Sequence, residues 1–290
     1  MNTFSLFERH LQEPGVTPEE LALDVARIAY PRLEVEPYLA TLDTLADYVG
    51  RRLVPEVPGH DAAAMFLRII TEDLAFHGNR EDYYDPRNSL LNEVLERRIG
   101  LPVMLCLLCM ALGRRLNLQV DGMGFPNHFM ARYRDTAGVW LLDPFNGAVV
   151  EMHAAEAYLS SVLGRPVQLS PEALRPVSTQ DLTLRILNNL RGAYLMRQDT
   201  DHALAVMGYQ LLILPREPVL WRERAVLHYR AARWEQAARD LRRYFFLIGA
   251  LPYLFPDEVQ SAFNLPALAE EDRNLVGMHR QIAGLLNRLN

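Results

Sequence analysis

The chain of 290 residues contains no lysine; all of its 30 basic side chains are arginine. That absence excludes Schiff-base chemistry on lysine, a phosphate loop built around lysine and a Ser–Lys dyad. Cysteine is almost absent too. The two present, Cys106 and Cys109, lie in one apolar run, so no disulfide framework is expected, and they read as reduced, buried thiols of a cytoplasmic protein. Long hydrophobic runs are missing. The longest, "LPVMLCLLCMAL", has 12 residues, whereas a membrane span needs about 20. The start, "MNTFSLFERH", lacks a basic region followed by an apolar core, so no signal peptide is expected. Positive charge is in deficit: 36 acids against 30 bases give a net charge of -6, which argues against a general nucleic-acid binder. No glycine-rich phosphate loop and no G-x-S-x-G occur. No pair among the eight histidines stands at H-x-x-x-H spacing, so neither a metal nor a cofactor is expected.

What is present is apolar and helical. Half of the residues are hydrophobic, enough for one large core or two medium ones. "TPEELALDVARIAY" has a Thr N-cap, Pro at the first helical position and acids in the first turn. "VEPYLATLDTLADYVGRRL" puts Leu39, Leu42, Leu45 and Val49 on one helix face. "HDAAAMFLRIITEDLAFHG" predicts a helix capped by Gly78, and the polar "NREDYYDPRN" a loop. "NSLLNEVLERRIG" predicts a helix closed by Gly100. "LPVMLCLLCMALGRRLN" is apolar nearly all round, the pattern of a helix buried at a domain centre. The period then changes. "LQVDGMGF", "HFMARY" and "VWLLD" read as short strands of a small antiparallel sheet, and "MHAAEAYLSSVLG" returns to helix.

From about residue 178 the chain is helical with an internal repeat. A shift of 34 brings Leu187 onto Trp221, Arg191 onto Ala225, Tyr194 onto His228, Ala203 onto Ala237 and Met207 onto Leu241. This period, with small residues at the crossing positions, resembles tetratricopeptide repeats; His228 and Gly249 depart from the pattern. Two repeats are too few for independent stability. They imply docking on the first domain or a third, degenerate helix pair in residues 256–290. The stretch 221–243 carries seven Arg against three acids. It reads first as a solvated outer face and second as a groove for an acidic partner segment.

His128 and Asp143 are the residues that look placed for chemistry. A buried helix followed by strands bearing His and then Asp is the order of a papain-like or transglutaminase-like site. There a Cys at the helix start is activated by the dipole and the His, and the Asp orients the imidazole. From spacing alone, a hydrogen-bonded core histidine is the commoner outcome. The residues "NSLLNEVLERRIGLPVMLCLL", "GFPNHFMARY" and "LLDPFNG" resemble the SirB family of transglutaminase-like proteins, and the resemblance extends over roughly residues 30–165. A tetratricopeptide-like tail is also typical of that family. The resemblance implies that His128 matches the base and Asp143 its orienting acid. It also implies a thiol at about Pro102 or Val103, where this chain has none. Cys106 lies one turn further in, in an apolar setting that leaves a thiol inert. Asn127 stands where the family has Gly, and Asn can adopt the same left-handed turn.

Asn88 and Asn92 share a helix face at this spacing, and Glu93 and Arg97 form an i, i+4 pair. These residues belong to the block that resembles the family, and the resemblance implies Asn92, Glu93, Arg97 and Asn127 as candidate binding residues, the first three as a polar floor beside His128. The bland alternatives are a helix cap and a surface ion pair.

The expected architecture is α+β and mostly helical. A transglutaminase/papain-like domain with a small antiparallel sheet (1–176) precedes an all-α tetratricopeptide-like region (177–290). Three functions remain open. One is a non-catalytic protein that binds a peptide or protein partner through the inherited pocket and the repeats, without nucleic acid or membrane. The second is a cysteine-type hydrolase or acyltransferase using Cys106, or a water activated by His128 and Asp143. The third is a pure interaction protein in which His128 is structural.

Overall fold

The computed structural model describes residues 3–54, 58–255, 260 and 267–289. The contacts divide the chain into two compact units, Met1–Met196 and Arg197–Asn290.

The first unit opens with helices α1 (Thr3–Gln12), α2 (Pro18–Ala26), α3 (Glu36–Gly50) and α4 (His60–Arg68). Helix α2 begins as the sequence predicts. Thr17 accepts from the Glu20 backbone N–H, Glu20 reaches back to the Thr17 backbone, and Pro18 stands at the first helical position. On α3 the buried face is Leu42, Leu45, Ala46 and Val49, with Leu39 half-buried. Helix α4 does not run on to a cap at Gly78. It widens into one π-helical turn, Ile69–Asp73, and Ala75 takes a left-handed φ of 56°. The chain is then extended, and His77–Gly78 forms β1. A 3-10 turn, Pro86–Ser89, precedes α5 (Leu91–Arg97). That helix ends on Arg98, at a φ of 62°, not on Gly100. Gly100 belongs to β2 (Ile99–Gly100), which pairs in parallel with β1. Both glycines expected as helix caps thus serve this two-residue ladder.

Helix α6 (Pro102–Arg115) is the centre of the unit. All of its residues are buried except Met110, Arg114 and Arg115, because α2, α3, α8 and the sheet surround it. Each of Leu105, Leu107, Leu108 and Leu112 is fully enclosed, and such burial contributes about 1.5–3 kcal/mol per side chain. Arg114 and Arg115 close the helix on the buried Glu19.

Strands β3 (Gln119–Phe125), β4 (His128–Arg134), β5 (Val139–Asp143) and β6 (Ala148–Glu151) form an antiparallel meander in chain order. Three of the four match predicted strands; β6 is too short for its period to register. Along β4 every residue from His128 to Tyr133 is buried. Helix α6 packs against the sheet, while Met123, Phe125, Met130, Leu141 and Val150 form a second core with Leu159 of α7 (Ala155–Leu163). Helix α8 (Thr179–Met196) completes the unit. It packs against α2, α6 and the Pro86–Ser89 turn, so the first compact unit runs to Met196.

The second unit contains α9 (Thr200–Ile213), α10 (Pro218–Arg230), α11 (Trp234–Leu247) and α12 (Glu270–Leu289). The bounds of α9 and α11 differ by 34 at both ends. Gln198 and Ala232, related by the same shift, share a left-handed φ of 59° and 55°. Helices α10, α11 and α12 share a core that includes Ala225, Ala237, Leu241, Phe245 and Ile282. Ala225 and Ala237 are both fully buried, and such small side chains let the helix axes approach. Helix α12 fills the place expected for a third repeat; residues 256–259 and 261–266 of that expected pair lie outside the described residues. In the arginine-rich stretch, Arg224 is bidentate to the buried Asp240, Arg222 meets Glu271 and Arg233 meets Asp201. Arg222 and Arg233 thus pair at the surface, as a solvated face would have it, whereas the Arg224–Asp240 pair is largely buried.

Candidate functional site

The sheet register brings His128 and Asp143 together. Ala131 pairs with Leu142, which sets Asp143 across from Met130 and one diagonal step from His128, on the same face. His128 Nε2 lies 2.7 Å from Asp143 Oδ2, with both side chains buried. Asp143 gathers four further donors. Its Oδ1 accepts the Phe145 and Asn146 backbone N–H groups at 3.1 and 3.0 Å. Its Oδ2 accepts Asn146 Nδ2 and the Tyr158 hydroxyl of α7, each at 2.8 Å. Burial pushes the Asp143 pKa up, but the hydrogen bonds from His128, Asn146 and Tyr158 outweigh it and hold the pKa below the ordinary value. Burial and the neighbouring carboxylate raise the Tyr158 pKa and keep the phenol protonated.

An ionised carboxylate only accepts, so Nε2 of His128 carries the proton. In the neutral imidazole Nδ1 then keeps its lone pair, and it makes no hydrogen bond among the described residues. This is the tautomer a general base needs.

His128 opens on a cleft of about 450 Å³. Its lining comes from four places: Tyr83 and Tyr84, then Pro102 and Val103, then Asn127 and Phe129, then Arg185, Asn188 and Asn189 of α8. Each has a local cause. Asn127 turns the β3–β4 hairpin with a φ of 56°, as the sequence allowed. Tyr83 and Tyr84 are set by the 79–88 loop, which is clamped at both ends to the start of α6. The Asn79 N–H donates to the Gly100 carbonyl at 3.3 Å, and the Leu101 N–H to the Asn88 carbonyl at 3.0 Å. Within the loop, the fully buried Asn88 donates its amide to the Asp82 and Tyr83 carbonyls and accepts from Asn79. Phe145 lies directly over Gly78, where a Cβ would come within 2.3 Å of its ring. Glycine is required there for the loop to reach the turn that follows Asp143. Arg185 donates to the His128 carbonyl at 2.9 Å, and its guanidinium sits 5.6 Å from the Phe129 ring centre.

Pro102 and Val103 occupy the stretch of α6 beside His128 where the resemblance implies a thiol. Cys106 is fully buried and donates to the Phe129 carbonyl at 3.5 Å. Burial pushes its pKa well up, and that of Cys109 up to about 12.

Asn92, Glu93 and Arg97 do not form a floor beside His128, and none of them lines the cleft. Helix α5 turns them toward α2, α3 and the preceding loop. Asn92 is buried near Tyr38, Glu93 accepts from the Tyr30 hydroxyl, and Arg97 reaches Asp85 at 3.5 Å instead of Glu93. The i, i+4 rule failed because tertiary acceptors outcompete a surface pair that contributes only a few tenths of a kcal/mol. Sequence reasoning missed Tyr83, Tyr84, Arg185, Asn188 and Asn189. The two tyrosines carried a signal, an adjacent aromatic pair in a polar loop; the α8 residues carried none. Among the described residues, no group of three or more His, Cys, Asp or Glu could hold a metal ion. Nor is any described helix long and apolar enough to cross a membrane.

A central helix whose first turn meets a His–Asp pair on an antiparallel sheet defines a transglutaminase-like domain. The family model described as "Transglutaminase-like superfamily" matches residues 36–188, and a tetratricopeptide-repeat model matches 190–252. The chain belongs to the SirB family of the transglutaminase-like superfamily. It is 32% identical to a UPF0162 protein of Xylella fastidiosa, covering 78% of this chain and 82% of that one. A UPF0162 protein of Vibrio cholerae is also 32% identical, over 78% of this chain and 84% of its own. Protein SirB1 of Salmonella typhimurium is 24% identical over 72% and 77%. No solved structure matches. Tetratricopeptide repeats in general mediate contacts between proteins.

Proposed function

We propose that this chain is a non-catalytic transglutaminase-like protein that holds a peptide or an extended protein segment in the cleft at His128, with the helical repeats adding a second surface. One observation carries the reading. The part of α6 that lines the cleft beside His128 presents Pro102 and Val103, while the nearest thiol, Cys106, is buried with a raised pKa. A helix start without a nucleophile offers no covalent route for acyl transfer. The cleft keeps what a peptide needs: exposed aromatic faces at Tyr83 and Tyr84, side-chain amides at Asn127 and Asn189, and the Nδ1 acceptor of His128.

The test incubates the full chain with a mixture of short peptides and a primary amine acceptor. Equilibrium dialysis measures retention, and mass spectrometry measures the fate of the peptides. Retention with intact recovery is expected, unchanged in Cys106→Ala. Absence of retention overturns the proposal, as does cleavage or amine transfer that disappears in His128→Ala. A second reading, hydrolysis by a water activated at His128, is favoured by the intact 2.7 Å pair and the unengaged Nδ1. Cleavage surviving Cys106→Ala would establish it.

A further inference from the structure

The cleft contains one full positive charge, and no carboxylate among the described lining residues answers it. Arg185 is half-buried; it gives one hydrogen bond to the His128 carbonyl and lies near the Phe129 ring. Among the described residues its other guanidinium nitrogens have no acceptor, and none of them is sealed off from solvent. Three other arginines of this unit do reach carboxylates: Arg87 and Arg97 meet Asp85, and Arg132 pairs with Asp121. Among the described residues lining the cleft there is no Asp or Glu. Burial lowers the Arg185 pKa, so holding the charge there costs free energy that no described lining residue offsets with a carboxylate.

We propose that Arg185 is the receptor for a carboxylate of the bound peptide, and that the cleft therefore selects peptides carrying an acidic side chain or a free C-terminus. The inference rests on the peptide-binding reading above. The planar fork of a guanidinium matches a carboxylate, and two or more of its N–H groups remain for that purpose. The first turn of α6 contributes in the same sense. Leu101 gives it no side-chain cap, and the positive end of the helix dipole lies beside Pro102 and Val103. Since Arg185 also holds the His128 backbone, a carboxylate on the guanidinium fixes the strand that carries the His–Asp pair.

The experiment uses the full chain and three pools of short peptides with the same random flanks. One has a central Glu and an amidated end, one a central Gln and an amidated end, and one a central Gln and a free C-terminus. Fluorescence anisotropy gives the affinity of each pool. At least one carboxylate pool is expected to bind about ten- to a hundred-fold more tightly than the all-neutral pool. Whichever pool wins identifies the source of the carboxylate. Arg185→Gln should bring the winner down to the neutral level, and Arg185→Lys should retain part of the preference. Equal binding of all three pools by the wild type overturns the inference and leaves the peptide-binding reading standing. A carboxylate preference that survives in a folded Arg185→Gln protein also overturns it. Binding of none of the pools overturns both. The wild-type comparison needs no variant, so a failure of Arg185→Gln to fold does not weaken the test.

Discussion

Replacing Asp143 by Asn tests the reading of the His–Asp pair most sharply. Five donors converge on this carboxylate: His128 Nε2, the Phe145 and Asn146 backbones, the Asn146 amide and the Tyr158 hydroxyl. An asparagine can keep its oxygen on the two backbone N–H groups. Its NH₂ then faces three groups that were donating. Tyr158 can rotate its hydroxyl to accept, and His128 can move its proton to Nδ1 and accept at Nε2. The Asn146 amide loses its acceptor. Hydrogen bonds to a charged group contribute about 1.5–3 kcal/mol each. One is lost outright and two are weakened, so the net loss is about 2–4 kcal/mol. For a unit of this size that lowers the melting temperature by roughly 4–16 °C. Thermal denaturation followed by circular dichroism measures the loss, and the ring ¹⁵N shifts of His128 report the tautomer. The wild type should carry its proton on Nε2 and the variant on Nδ1. A wild-type proton on Nδ1, or an unchanged melting temperature, would refute the reasoning. The acid limb adds a second check. The folded pKa of Asp143 lies below the ordinary 3.8, so as pH falls the unfolded chain takes up the proton first. The stabilisation is full above the unfolded value and is lost as pH falls through the folded one. Asp143→Asn should flatten the stability curve in that window.

Three further outcomes follow from the geometry. Val103→Cys puts a thiol at the second position of α6, on the cleft beside His128. Iodoacetamide at neutral pH should modify it at least about tenfold faster than Cys106 or Cys109, and equal inertness would count against the placement of this helix start. Gly78→Ala drives a methyl group to within 2.3 Å of the Phe145 ring; a loss of about 1–3 kcal/mol is expected in chemical denaturation, and a neutral result would mean that Phe145 does not sit there. Asn88→Ala removes the amide that holds the Asp82 and Tyr83 carbonyls. It should cost about 1–3 kcal/mol and weaken peptide retention as Tyr83 and Tyr84 lose their support, whereas full retention would show that the loop is fixed by other means.

Much of the fold could be read from local pattern. The capping box of α2, the burial of α6, three strands of the meander and the 34-residue repeat each rest on residues close together in the chain. The misses have physical causes. Gly78 and Gly100 looked like helix caps because glycine is the usual left-handed residue. Ala75 and Arg98 took those positions instead, leaving the glycines where Phe145 and the β1–β2 ladder need close approach. Asn92, Glu93 and Arg97 followed helical spacing, but that spacing cannot say which way the helix faces. Asp85 and Tyr30, from other parts of the chain, supplied stronger partners.

The sequence by itself determined the kinds of elements and the repeat, while His128 and Asp143 were joined by the family resemblance and not by their spacing. Short-range periodicity encodes the elements and the repeat. The sequence also determined that no thiol starts the central helix. Only the tertiary structure decided what surrounds His128. Tyr83 and Tyr84 arrive on a loop clamped to α6, and Arg185 arrives on α8, 57 residues beyond the histidine whose carbonyl it holds. Convergence of that kind is set by how helices pack against the sheet. No spacing along the chain records it.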